Sequence, residues 1–407
     1  MDVRSVLVRL HRWVGLAIAL FLVVAGLTGS VLVFREELDA WANPDLFASP
    51  ARGRVLSPEA LKQTVEAADP RVTVVALPLT TAAGTAARLF VLPKPDPATA
   101  KPHVLGFNEL FVDPVDGAVL GRRDIAGCCD RATIIPFLYR LHFSLHLPGR
   151  WGVWLLGVVS ILWLADCFVG AWLTLPRQGP FWPKWRPAWM IKAGTGAYRR
   201  NLDLHRAGGL WLWGVLAILA LTSIALNLRR EVYLPIVAIF GDVTPTPFDR
   251  PRQRTPGTPL PLDDIAARAR AVADTRGWPA PGPIFHSMGT GVIMVRFVGL
   301  DGEQPLGAPR LYLDDVDGRE LMTIDPGDGT LGDLALNLPL PLHSGRIAGL
   351  AGRVLIAVTG IVIAMLGVTG VVIWWKKLQG RRAQAAKKRS ARARATASAS
   401  TSPGRLP

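Results

Sequence analysis

Acidic residues are almost missing from three stretches of this 407-residue chain, and histidine and cysteine are scarce throughout. Residues 1–12, 176–209 and 376–407 hold 20 of the 46 Lys and Arg but only two of the 31 acidic residues, Asp2 and Asp203. The formal charge of +15 is therefore concentrated on a few short segments, which argues against nucleic acid as a partner. No glycine-rich strand–turn–helix fingerprint for a dinucleotide is present, and Met288-Gly289-Thr290-Gly291 is only a weak glycine cluster. Of three cysteines, Cys128 and Cys129 are neighbours, which seldom pair with each other, and Cys167 lies in an apolar run where it is expected to pack. With only seven histidines, the position of each one matters.

Apolar sequence, in contrast, is abundant. Half of the residues are hydrophobic, 14 are Trp, and mean hydropathy is positive. Four runs have the roughly 20-residue length that crosses a bilayer: Trp13–Phe34, Trp151–Leu175, Leu210–Leu228 and Ile347–Trp375. The first has the basic flank of a signal peptide but is longer than a typical apolar core and lacks a clear cleavage site, so it reads as an uncleaved anchor. Trp13, Trp151, Trp374 and Trp375 at span ends fit an interfacial belt. The positive-inside rule puts residues 1–12, 176–209 and 376–407 in the cytoplasm, both termini included. Residues 376–407 read as a basic, disordered tail drawn to anionic membrane lipid.

The two long loops, 35–150 and 229–346, then lie outside the cytoplasm. Each carries a helical pattern, Ser57–Ala68 and Pro261–Ala273, followed by strand-like runs: Val72–Leu77, Ala87–Leu92 and Glu109–Leu120 in the first, Gly291–Phe297 and Arg310–Met322 in the second. The segment around Asp116-Gly117 is matched around Asp317-Gly318 at an offset of 201, and Leu10-His11-Arg12 returns as Leu204-His205-Arg206 at an offset of 194. The chain reads as a duplicated unit of span, α+β domain and span, an internal parallel two-fold repeat.

Five of the seven histidines fall at span ends. His11 and His205 are repeat mates on the cytoplasmic side; Leu141-His142 and Leu342-His343 are mates on the other, with His146 one turn beyond. A pseudo-twofold axis along the membrane normal would bring His11 opposite His205 and His142 opposite His343. Facing imidazoles can supply both axial ligands of a haem iron in a helix bundle, whereas zinc normally takes at least three protein ligands. Arg12, Arg206, Arg150 and Arg353 stand beside the four motifs and suit haem propionates. Gly15, Gly26, Gly170, Gly360, Gly367 and Gly370 would admit a flat macrocycle or a close helix. His146 could be a ligand, a supporting group or part of a substrate site. Asp166, an ionisable residue inside a span, is a functional candidate as proton carrier or as a bond between helices. Arg122, Arg123, Arg131 and Arg140 could attract an anion or be solvated surface.

With its Leu-His motif at each of four spans (Leu10-His11-Arg12-Trp13-Val14-Gly15, Leu141-His142 with Gly149-Arg150, Leu204-His205-Arg206, and Leu342-His343-Ser344-Gly345 with Gly352-Arg353) the chain resembles the PepSY-associated transmembrane proteins across residues 5–377. It departs from them at Ala207-Gly208, where bulkier residues are usual. The resemblance implies a membrane α-helical bundle of four transmembrane helices with two extracytoplasmic PepSY-like α+β domains. It also implies kinship with bacterial inner-membrane ferric-siderophore reductases that hold two haem b groups. The expected function is electron transfer through an inner haem on His11 and His205 and an outer haem on His142 and His343 to an extracytoplasmic ferric siderophore. The donor would be quinol or a separate reductase, since the inner loop is too short for a flavin domain. Two other readings stand beside it: a membrane sensor or inhibitor whose loops bind a peptide or protein, and a quinol-linked cytochrome with another acceptor.

Overall fold

A computed structural model describes residues 2–249, 252–299 and 306–400. Its contacts divide the chain into two units, one of residues 1–27, 158–221 and 359–407, the other of 28–157 and 222–358. Three helices are long and apolar enough to cross a membrane, Val3–Leu32, Trp151–Thr174 and the apolar part of Gly349–Ser400. Ala197–Trp211 and Trp213–Asn227 pass the same test only as a pair, bent by 69°. The chain is a helical multi-pass membrane protein, with three to four candidate spans among the described residues.

Two span boundaries differ from the sequence reading for physical reasons. Helix Val3–Leu32 begins ten residues before Trp13, because Arg4, Arg9 and Arg12 are good helix formers. Arg4 also donates to the carbonyls of Leu173 (2.5 Å) and Leu175 (3.2 Å), a cation on the acceptor-rich end of the second span. The third span is not one rod. Trp213–Asn227 has 15 residues, about 22 Å of helix against roughly 30 Å of hydrocarbon, and the segment before it carries Arg199, Arg200, Asp203 and Arg206. A second correction concerns residues 376–407, expected to be disordered: the last helix runs on to Ser400, as Ala, Arg, Lys and Gln favour. Residues 401–407 lie outside the described residues.

The second unit contains two four-stranded antiparallel sheets of like order, β1 (Val72–Ala76), β2 (Ala87–Pro93), β3 (Glu109–Val112) and β4 (Val119–Arg123), then β5 (Pro281–Ser287), β6 (Val292–Phe297), β7 (Arg310–Asp314) and β8 (Glu320–Ile324). The Asp-Gly hairpins are present, with Gly117 at φ +77° and Gly318 at φ +69°, left-handed positions that suit glycine. Strand β5 had no signal in the sequence because Pro281 and Pro283 argue against a strand. It is tolerated where the sheets meet: the Ile284 amide donates to the Leu77 carbonyl (2.9 Å) and the Leu79 amide to the Gly282 carbonyl (3.0 Å).

Helices Pro58–Ala68 and Leu262–Arg276 cover the sheets. Leu61, Val65, Leu262, Ile265, Ala266 and Ala269 are buried with Val72, Leu89, Leu110, Ile293 and Leu311 in one continuous apolar cluster. Burying each large side chain contributes roughly 1.5–3 kcal/mol, so this shared core is the main source of the unit's stability. The two loops, read from sequence as separate domains, therefore share their interior. The helix starts are also interlocked: Asp263 accepts from the Glu59 amide (3.1 Å) and the Ser57 hydroxyl (2.7 Å), while Glu59 accepts from the Leu262 amide (2.9 Å).

Candidate functional site

In the first unit, His11 projects from helix Val3–Leu32 and His205 from Ala197–Trp211. Their ring centroids are 6.2 Å apart, at an interplanar angle of 60°. The Nδ1 of His11 lies 2.8 Å from Oδ1 of Asp166. A carboxylate accepts only, so Nδ1 carries a proton and donates it to Asp166. The Nδ1 of His205 is 3.1 Å from the Leu366 carbonyl and 3.0 Å from the Thr369 hydroxyl, whose own proton goes to the Met365 carbonyl at 2.7 Å. Both partners thus accept, so Nδ1 again carries a proton.

Glycine lies against each of these rings. A Cβ on Gly170 would fall 3.3 Å from Cε1 of His11, and one on Gly370 would fall 3.2 Å from Cε1 of His205. Asp166 and Gly170 are four residues apart on one helix, and Leu366 and Gly370 are four apart on another, so acceptor and glycine share a helix face in both cases.

The second unit holds a matching arrangement. His142, on helix Ile134–Ser144, faces His343, on helix Pro339–Ser344, with ring centroids 6.1 Å apart and again an angle of 60°. The Nδ1 of His142 is 3.0 Å from the Thr28 hydroxyl, and that of His343 is 3.0 Å from the Thr222 hydroxyl. A Cβ on Gly29 would fall 3.0 Å from Cε1 of His142. Burial, with the second imidazole adding, pushes His343 down to about 3, so its ring is neutral and able to ligate.

Several parts of the scaffold aim these rings. Upstream of the His142 helix, the buried Arg123 guanidinium bonds to both oxygens of Asp39 (3.0 and 2.9 Å), to the Ala132 carbonyl (2.8 Å) and to Glu109. Upstream of the His343 helix, Arg310 donates to Asn337 (2.7 Å), and Thr330 with Asp333 forms a capping box. Strand ends of the two sheets are thereby tied to the segments that lead into the histidine helices.

An imidazole–metal bond is about 2 Å, so two such bonds in line through one centre place the ring centroids about 6 Å apart. Both observed spacings match. Among the described residues, no cluster of three or more His, Cys, Asp or Glu could hold a metal ion. Each pair brings two imidazoles together, a donor set suited to two-point ligation.

Other candidates do not join the pairs. His146 is turned back by left-handed conformations at Leu145 and His146, stacks on Phe137 with centroids 4.2 Å apart, and donates from Nε2 to the Phe137 carbonyl (3.0 Å). It closes the end of its own helix and joins neither pair. Three of the four arginines expected at a haem edge are engaged by carboxylates of this chain: Arg206 by Asp203 (3.0 Å), Arg150 by Glu231 (2.9 Å) and Arg353 by Glu37 (2.5 Å). Arg12 keeps that role open. Of the cluster considered for an anion, Arg123 is buried in its ion pairs, Arg131 pairs with Asp45, Arg122 lies over the Phe107 ring and Arg140 bonds to the Ala126 carbonyl, so it is no preformed receptor. His286 is held by Asp315 (2.9 Å). The sulfurs of the neighbours Cys128 and Cys129 lie side by side, with Cys129 in the left-handed region at φ +78°.

Sequence reasoning missed Thr28, Thr222, Thr369, the Leu366 carbonyl and Gly29. Thr28 and Thr222 were discoverable, because their offset of 194 equals that of His11 and His205. No curated protein matches the chain. The family model of the PepSY-associated TM region matches it over residues 8–377.

Proposed function

Because the chain belongs to the PepSY-associated TM family, we propose that it is a bacterial inner-membrane protein with two haem b groups that passes electrons across the membrane and reduces an extracytoplasmic ferric siderophore. In this reading the two sheets and their helices are the PepSY-like halves of a parallel two-fold repeat, and both termini are cytoplasmic. The observation that carries the proposal is the recurrence of one geometry: facing imidazoles at 6.2 and 6.1 Å, both at 60°. Zinc is the weaker fit, for want of a third ligand.

Haem iron, when bound, would supply one-electron exchange. The chain's own residues do the rest. Asp166 and the Leu366 carbonyl hold Nδ1 of His11 and His205, which would leave Nε2 as the ligating atom. Thr28 and Thr222 orient His142 and His343, and Gly29, Gly170 and Gly370 leave the rings the space that side chains would take. Arg12 is the cation left for a propionate. Reduction would release iron because the ferrous ion is a weaker match than the ferric ion for hard oxygen ligands.

A reduced-minus-oxidised spectrum of the purified protein should show b-type bands. Replacing His142 and His343 with Ala should remove one of two Soret-absorbing centres; retention of both would overturn the assignment. Reoxidation of the reduced protein by a panel of ferric siderophores then separates iron reduction from a quinol-linked cytochrome with another acceptor. A sensor or inhibitor is the second reading, favoured by a cavity of about 550 Å³ where the two halves of the second unit meet, lined by Leu61, Leu79, Arg270, Asp274 and Trp278. It requires the b-type bands to be missing.

A further inference from the structure

We propose that helix Leu234–Phe240 lies in the plane of the lipid leaflet beside the second unit, its apolar face among the acyl chains just below the head groups. The segment Leu234-Pro235-Ile236-Val237-Ala238-Ile239-Phe240 holds no charged or hydrogen-bonding side chain, and Val237 alone of its residues is buried. Ile236, Ile239 and Phe240 share one helix face at three- and four-residue spacing, and the last two are 75% and 79% exposed. Leu331, 76% exposed, extends the patch, since a Cβ on Gly241 at the helix end would fall 3.6 Å from the Leu331 Cβ. A contiguous apolar surface of this kind marks a partner or a membrane.

Three observations name lipid as what covers it. The chain reaches the helix directly from a candidate span, with only Leu228 and the helical turn Arg229–Tyr233 between Asn227 and Leu234. Five residues at about 1.5 Å each advance the chain about 8 Å, comparable with the depth of one head-group layer. The exposed Arg229 and Arg230 stand at the entry to the helix, where cations suit lipid phosphates. The position also recurs. At the offset of 194 that relates His11 to His205, Arg229 answers to Arg35, which opens helix Arg35–Ala42 just after the first span. That helix presents Trp41, 81% exposed and of the residue type enriched at lipid interfaces. A leaflet accepts both sequences, whereas one protein partner would have to fit two unlike faces.

The same segment grips the element that leads to His343. Tyr233 donates to the Ala335 carbonyl (2.9 Å) and Arg229 to the Leu336 carbonyl (3.4 Å), both on helix Leu331–Asn337, which runs into Pro339–Ser344. Just beyond the helix, the amide and hydroxyl of Thr244 donate to Asp333 (2.8 and 2.7 Å). Lipid contact at Leu234–Phe240 would thus steady the helix that carries His343.

The test is electron paramagnetic resonance of nitroxide labels on the full-length protein in nanodiscs of phosphatidylcholine and phosphatidylglycerol, with Cys128→Ser, Cys129→Ser and Cys167→Ala as background. Labels at Phe240→Cys and Ile236→Cys should be relaxed more by oxygen, which concentrates in lipid, than by a water-soluble nickel chelate. Arg319→Cys, at an exposed hairpin, should show the reverse order. Labels at 236 and 240 that follow the order of Arg319→Cys would overturn the proposal. Labels closed to both reagents, the mark of a protein cover, or dipolar broadening between labels, the mark of a second copy, would do the same. Each variant should elute as its parent does, and where Phe240→Cys does not, Ile236→Cys decides. The readout needs no haem, so it is independent of the electron-transfer reading.

Discussion

Asp166 and the Leu366 carbonyl do the same job for His11 and His205 with different charge. A carboxylate raises the basicity of the imidazole it holds, whereas a backbone carbonyl fixes the tautomer and adds no full charge. In the proposed haem site the supports of His11 and His205 would therefore differ in charge. Asp166→Asn can offer either an oxygen or an NH₂ to Nδ1, and the latter turns the ring's lone pair away from the partner. We expect roughly 10–100-fold weaker haem retention, the range seen on loss of such supporting groups. Pyridine haemochromogen assay of the purified variant checks it, and full haem occupancy would show that the carboxylate is dispensable. The sequence pointed to Asp166 because a carboxyl inside a span demands a reason, yet its partner is 155 positions away and nothing local identifies it. Likewise, the arginines beside each Leu-His motif read as haem-edge groups in one dimension. The acids that occupy Arg150 and Arg353, Glu231 and Glu37, lie 81 and 316 positions away, and only the fold brings them together.

Helix starts are the elements in which the fold departs most from local sequence rules. Ser57 was legible as a cap, and it does accept from the Ala60 amide at 3.3 Å. Not legible was that Asp263 of the other helix caps the same end, and that Glu59 returns the bond to Leu262. Each acid sits at the positive end of a neighbouring helix, where a carboxylate is favoured. Glu59→Ala and Asp263→Ala should each cost about 1 kcal/mol. Because the two ends are locked together, the double variant should cost less than the sum of the singles by about 0.5 kcal/mol or more. Thermal unfolding of the four proteins in the cycle measures this, and additivity would mean that the caps act independently. The bent third span and strand β5 follow the same logic. Gly208-Gly209 lie inside helix Ala197–Trp211 while the bend falls at Leu212, and Pro281 opens a strand, so a residue that could break an element does so only where its surroundings allow.

At the scale of the whole chain, two sheets of like strand order were foreshadowed by two sequence offsets, and the spans by run length. The joining of the two loops into one body was not, since a repeat predicts two similar folds and is silent on whether they share a core. Here the shared cluster decides it. Leu262, Ile265 and Ala266 are buried together with Leu61, Val65 and Leu77, and β1 and β5 exchange backbone bonds at Leu77, Leu79, Gly282 and Ile284. Residues 35–150 expressed alone would expose that apolar face and leave β1 an open edge, a combination that favours aggregation or pairing with a second copy. Co-expressed with residues 229–346, the same fragment should recover both its core partners and its strand partner. We therefore expect the first fragment alone to elute as dimer or aggregate on size exclusion, and the two together to co-purify one to one with a single cooperative melt. If residues 35–150 alone gave a monomer with that same melting temperature, each loop would be an independent domain, and the shared core would be a contact without energetic weight.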